Sequence, residues 1–174
     1  MRMILMILLF SVPAFAQNAS TATGASSAVC SNLPNTIFDV KTDNGEHPAQ
    51  PVAGKALVYF LQDDTNYIAR PRPTTRLAVD GAWVGATRSD SYFYFSVDPG
   101  EHHLCAGWQA GGLQPTAGVA AVHFTAVAGH VYYLRVQNGS LKDGGTTIEL
   151  GRVDSDEAHL LISRYAFSSS SAKK

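Results

Sequence analysis

RLAVDGAWVGATRSDSYFYFSVDPGEHHLCA, residues 76–106, is the stretch that decides the fold. Arg76–Val79 and Ala82–Thr87 are short β-branched and apolar runs flanking Asp80-Gly81. That dipeptide suits a type I′ turn, because both central positions need positive φ. Ser91–Val97 and Glu101–Trp108 flank Asp98-Pro99-Gly100, where proline presets the first turn position and glycine accepts the second. Both units read as tight hairpins.

Working outward, Lys55–Leu61 is apolar on both alternating faces, as a central strand requires. Gln62–Thr74 is polar and interrupted by Pro71 and Pro73, so it reads as a loop or irregular edge. Val119–Val127 and His130–Gln137 flank Ala128-Gly129, a third hairpin. Asn138-Gly139 and Asp143-Gly144-Gly145 bracket a turn before a further run, Thr146–Val153. Leu33–Val40 adds an N-terminal strand. One helix is expected over Asp154–Tyr165: Asp154 can cap, Glu157 follows three residues later, and Ala158, Leu161, Ile162 and Tyr165 share one face. That stripe should pack on the sheet's end or open face. The expectation is an all-β, antiparallel sandwich of about seven to eight strands with one short C-terminal α-helix.

The ends carry different information. Arg2 precedes the apolar run Ile4–Phe10, then Pro13 and the small-residue pattern Ala14-Phe15-Ala16, which predicts a signal peptide over residues 1–16 cleaved before Gln17. The run is shorter than the roughly 20 residues that cross a bilayer. The first cysteine, Cys30, lies far beyond the cleavage site, which argues against lipid anchoring. Residues 17–29 and 168–174, rich in Ser, Thr and Ala, have little to bury and read as a flexible segment and a disordered tail. Residues 30–167 then form a single domain. With 13 basic and 14 acidic residues in the chain, no charge excess recommends nucleic acid or an anionic membrane. The two cysteines, Cys30 and Cys105, are a disulfide candidate by parity and compartment.

Residues 76–106, with the upstream ALVYFL and the downstream AGHVYYLRV, resemble the bacterial domain-of-unknown-function family twenty-eight forty-six. Its members are small exported or lipid-anchored β domains. The likeness covers roughly Lys55–Val153. The VDG turn, glycine-bearing strand, aromatic strand and PGEH segment are also similar to PEGA modules and, more distantly, to transthyretin-like or carboxypeptidase-regulatory sandwiches. The resemblance implies a backbone, since Asp80-Gly81, Pro99-Gly100 and Gly129 serve turns, and it implies no activity, cofactor or catalytic residue.

The residues themselves offer little catalysis. His103 and Cys105 alternate onto one strand face beside Glu101 and His102, and both can bind a soft metal. A structural zinc site needs four ligands, and no CxxC, HxxxH or HExxH supplies the others. His123 and His130 read as ordinary strand-end residues. There is no GxSxG elbow, and Ser140 sits in a turn. Asp63-Asp64 could suggest a glycosidase pair, but adjacent carboxylates on a polar loop read better as a solvated turn. Phosphate and dinucleotide loops are missing from the sequence.

Two surface features remain. Phe93, Phe95 and Val97 alternate with Tyr92, Tyr94 and Ser96, so one face is core and the other presents phenols, which Trp83 and Trp108 could extend into a binding platform or the helix could cover. Arg70, Arg72 and Arg76 could grip an anion, although arginines around Pro71 and Pro73 read as keeping a loop solvated. The functional expectation is an exported, periplasmic or secreted, non-catalytic binding or accessory module of the cell envelope. No catalytic, cofactor or metal residues are expected, nor a nucleic-acid partner or a membrane span. The partner would be an envelope protein, a peptide or a glycan. The alternative is a metal-dependent or hydrolytic enzyme centred on His102 and His103.

Overall fold

The computed structural model describes residues 30–109 and 118–173. The expected signal peptide and the segment 17–29 lie outside the described residues. The strands are β1 (Phe38–Asp43), β2 (Ala56–Asp63), β3 (Thr74–Val79), β4 (Ala82–Arg88), β5 (Ser91–Val97), β6 (Gly100–Trp108), β7 (Val119–Ala126), β8 (Val131–Ser140), β9 (Thr146–Arg152) and β10 (Ala166–Ala172). The helix α1 (Ser155–Ile162) precedes β10. A six-stranded sheet has the order β1-β10-β5-β2-β8-β9, and a four-stranded sheet the order β4-β3-β6-β7.

The alternation of apolar residues explains how the sheets stack. Val58 and Phe60 of β2, Leu77 of β3, Phe93 of β5, Leu104 of β6 and Leu134 of β8 all point into one buried cluster between the sheets. The fold is therefore the all-β sandwich with a short C-terminal helix that the sequence suggests. β2 is buried along its whole length because its other face is covered too. Leu57, Tyr59 and Leu61, with Tyr92 of β5, form a second cluster against which Leu161, Ile162 and Tyr165 pack. The helical stripe thus lies on the open face of the larger sheet. Asp154 caps α1 by accepting from the backbone N–H groups of Asp156 and Glu157. The Glu157 carboxylate does not complete a reciprocal box; it pairs with Arg135 on β8.

The hairpin β3–β4 forms as expected, with Asp80 at φ 50° and Gly81 at φ 85°. The second and third expected hairpins do not. β5 and β6 belong to opposite sheets, as do β7 and β8. Each connection reverses the chain across the core instead of within a sheet. Turn residues specify a reversal but not whether the flanking strands share hydrogen bonds, and inward apolar residues suit either arrangement. A consequence of these crossings is that β8 pairs parallel with β2, and β10 parallel with β5. Asn138 and Gly139 belong to β8, which continues to Ser140 before turning into β9.

The tail expected over 168–174 is also corrected: residues up to Ala172 form β10, inserted between β1 and β5. Its serines fit because the site is narrow. Ser168 is buried and donates to the Ser91 hydroxyl at 2.9 Å, and the Ser170 hydroxyl accepts from the Ala86 N–H at 3.0 Å.

Candidate functional site

Along β3 and β6 the residues that alternate with core Leu77, Leu104 and Ala106 face away from the larger sheet; they include Arg76, Cys105 and Gly107. Cys105 is bonded to Cys30, with Cα atoms 5.6 Å apart, which lays the segment 30–37 over this outer face. Non-covalent bonds hold the same segment. Trp83 Nε1 donates to the Pro34 carbonyl at 2.7 Å, and Arg76 Nη1 donates to the Thr36 carbonyl at 2.7 Å. The Phe38 N–H and carbonyl meet the Gln109 side-chain amide at 2.6 and 3.1 Å. Between strap and sheet runs a cleft of about 140 Å³. Its lining is largely apolar, with Leu33, Pro34, Trp83, Trp108 and Val119 beside Arg76.

Arg76 is the unusual member. It is 8% exposed, its guanidinium lies 4.5 Å over the Trp83 ring, and Nη2 donates to the Trp108 carbonyl at 3.1 Å. Its partners are thus neutral, and among the described residues no carboxylate pairs with it. Nε is sealed from solvent without a hydrogen-bond partner. Burial pulls the guanidinium's pKa below its ordinary value. The sequence grouped Arg76 with Arg70 and Arg72 on a loop, and the structure separates them. Arg70 is exposed, Arg72 pairs with Asp90 at 2.7 Å, and Arg76 stands within β3. The signal available beforehand was alternation, which places Arg76 on the same side as Ala78 and opposite to Leu77.

Asp63 and Asp64 are not a solvated turn. Asp63 ends β2, and both are buried. Gln62 Nε2 reaches both Asp64 oxygens at 2.9 Å, and Asn138 Nδ2 donates to Oδ1 at 2.7 Å. Burial still pushes the Asp64 carboxyl up. Burial also raises Asp63, but hydrogen bonds from Thr65 and Gln137 outweigh it and leave that carboxyl below its ordinary value. Their separate environments make them parts of the sandwich's polar end rather than a facing acid–base pair.

The histidine region is divided in the same way. His102 Nδ1 lies 2.7 Å from Asp80 Oδ2, and Nε2 lies 2.7 Å from the Asp98 carbonyl. Both neighbours are acceptors, so the ring satisfies both when doubly protonated. Burial lowers its pKa, but the Asp98 carbonyl and the Asp80 carboxylate more than compensate and raise it. His103 faces His123 across β6–β7, with ring centroids 6.3 Å apart. Cys105 is taken by its disulfide and cannot join them as a ligand. No group of three or more His, Cys, Asp or Glu able to hold a metal occurs among the described residues.

The phenol face is covered. Tyr92 is buried in the cluster against which Leu161, Ile162 and Phe167 pack, and Tyr94 is half-buried beside Phe167. Trp83 and Trp108 belong to the other sheet and do not extend this face.

The family model described as a protein of unknown function, DUF2846, matches residues 52–146, more than half of the chain. The chain belongs to this family. The match runs from just before β2 to the first residue of β9. It therefore contains Arg76, Trp83 and Cys105 but not Cys30, Leu33 or Pro34. The cleft has a family-matched floor and a strap from outside the matched region. No curated protein and no solved structure matches the chain. No described helix is long and apolar enough to cross a membrane.

Proposed function

We propose that the chain is an exported, non-catalytic binding module of the cell envelope, and that its ligand site is the cleft between the 30–37 strap and the four-stranded sheet. The observation that carries this reading is the construction of the cleft: an apolar concavity whose strap is fastened by a covalent bond and by the Trp83 and Arg76 hydrogen bonds. Preformed, mostly apolar concavities with a few polar groups are where small ligands bind. Export is supported by the signal-like N terminus and by a disulfide, which persists in oxidising compartments. The non-catalytic part is supported by the engagement of both His102 nitrogens in holding turns.

Two measurements test it. N-terminal sequencing of the protein recovered from outside the cytoplasm should begin at Gln17, and a chain still starting at Met1 argues against export. Titration of isotope-labelled protein with small apolar fragments should move the amide signals of Leu33, Trp83 and Val119. A Val119→Trp substitution, at a half-exposed cleft wall, should abolish that response. Shifts confined to another surface, or unaltered by the substitution, would remove the cleft as the site.

A further inference from the structure

Resting on that reading, we infer that the cleft takes a ligand with a carboxylate on a small apolar body, and that Arg76 receives the carboxylate. The basis is a charge without a counter-charge. Taking a cation out of water is costly unless a partner compensates it. Arg76 is 8% exposed, yet its contacts are two backbone carbonyls and the face of Trp83. A guanidinium offers five N–H donors in a fixed fork that matches a carboxylate. Two of them are used by those carbonyls, and Nε has no acceptor.

Among the described residues no aspartate or glutamate pairs with Arg76. Residues 1–29 and 110–117 contain no aspartate or glutamate. The acidic side chains with ion pairs serve other cations: Asp90 holds Arg72, Glu157 holds Arg135, and Asp98 holds Lys55. An anion from outside would supply the missing complement, and the walls select its body. Leu33, Pro34, Trp83 and Val119 present hydrocarbon and indole, which disfavours a hydrated inorganic ion. A cavity of roughly 150 Å³ accepts a benzene-sized body, and this one is about 140 Å³. Because Nε is sealed, engagement needs the strap to yield locally at Thr36. Arg76 Nη1 would then exchange the Thr36 carbonyl for the stronger, charged acceptor.

Benzoate and its neutral analogue benzyl alcohol are the probes, titrated into the intact oxidised protein while amide signals are followed. Benzoate is expected to bind at least tenfold more tightly, moving Leu33, Trp83 and Val119, and Arg76→Gln is expected to erase the preference. Equal binding of both probes at the cleft overturns the carboxylate inference and leaves the cleft as a site. No response at the cleft to either probe overturns the inference and the site together. If Arg76→Gln does not fold, the comparison of probes on the unaltered protein decides alone. A peptide ending in a free Leu carboxylate, set against its C-terminal amide, separates the sources. A free peptide that outbinds both its amide and benzoate supports the inference with a chain terminus as the source. A peptide that binds no better than benzoate supports it with a small acid.

Discussion

The indole N–H of Trp108 on β6 lies 2.7 Å from the side-chain carbonyl of Asn138 on β8, a bond that joins the two sheets through their buried interior. Asn138 passes the connection on, donating to Asp64 at 2.7 Å and to the Thr75 hydroxyl at 3.2 Å. Gln62 closes the network, donating to Asp64 and accepting from the Thr87 hydroxyl at 2.8 Å. Gln62, Asp64, Thr75, Thr87 and Asn138 all have almost no exposure. Fully satisfied networks of this kind specify one arrangement of a core, and a half-satisfied one is expensive.

Asn138→Leu is therefore expected to cost about 3 kcal/mol, since it strips one donor from a buried carboxylate and one acceptor from a buried indole. Urea unfolding of the variant beside the unaltered protein gives the value. A loss below about 0.5 kcal/mol, the size of an ordinary surface change, would mean that the network does not hold the sheets.

The C-terminal strand supplies a second expectation. β10 is the partner of β1 along six residue pairs, Phe38–Ala172 to Asp43–Phe167, and its Phe167 packs under Tyr92 and Tyr94. A chain stopped after Tyr165 should be recovered insoluble or without a cooperative thermal transition, whereas one lacking Lys174 alone should melt like the full chain. A stable, cooperative 165-residue form would show that β10 is dispensable.

Why this strand escaped the sequence while others did not is a matter of side-chain signal. β2 announces itself as Ala-Leu-Val-Tyr-Phe-Leu, and α1 through Asp154 and the Leu161–Ile162 stripe, because burial of large apolar groups dictates both. β10 reads Ala-Phe-Ser-Ser-Ser-Ser-Ala, and its serines are selected by the close approach of β4, where a Cβ on Gly85 would come within 3.3 Å of the Ser170 hydroxyl. No local pattern encodes such a fit. The arches at Pro99 and Gly129 were legible as reversals, but sheet membership depends on pairings distant in sequence. The cleft was least legible of all. Cys30 and Cys105 could be paired by parity, but Arg76 gains its meaning from Pro34, Thr36 and Trp83, which the strap brings together.

The clamp of His102 on Asp80 gives a pH dependence whose sign follows from the two shifts. The folded pKa of His102 is raised above its ordinary 6.5, so its contribution is complete below that value and is lost as pH rises through the folded pKa. Asp80 is held below its ordinary 3.8: burial raises it, but the His103 N–H and the His102 ring more than offset this. Its contribution is lost as pH falls through that lower value. The pair is therefore strongest between about pH 4 and 6.5. His102→Gln should cost at most about 1 kcal/mol at pH 5.5, as befits a partly exposed pair, and less at pH 8.5. A difference that grows towards alkaline pH would contradict the doubly donating ring.

The disulfide makes the last expectation, and it couples stability to the site. Cys105 lies within β6 at 1% exposure, and Cys30 opens the strap, 75 positions earlier in the chain. Closing so long a loop restricts the unfolded chain, so reduction should lower stability by about 2–5 kcal/mol, and the Cys30→Ala, Cys105→Ala double variant should lose a matching amount. Protein unfolded without reductant should titrate no free thiols. The strap's non-covalent fastenings include single hydrogen bonds from Trp83, Arg76 and the Gln109 amide, each of which contributes on the order of 1 kcal/mol, against a chain entropy of about 1 kcal/mol or more for each ordered residue. Reduction should consequently free the strap while the sandwich remains folded. Trp83 then loses the Pro34 carbonyl and its emission moves to longer wavelength, and the benzoate response at Leu33 disappears. Two titratable thiols in the oxidised protein would show that the bond is absent. Unchanged emission and unchanged benzoate binding after reduction would show that the strap stays in place without it.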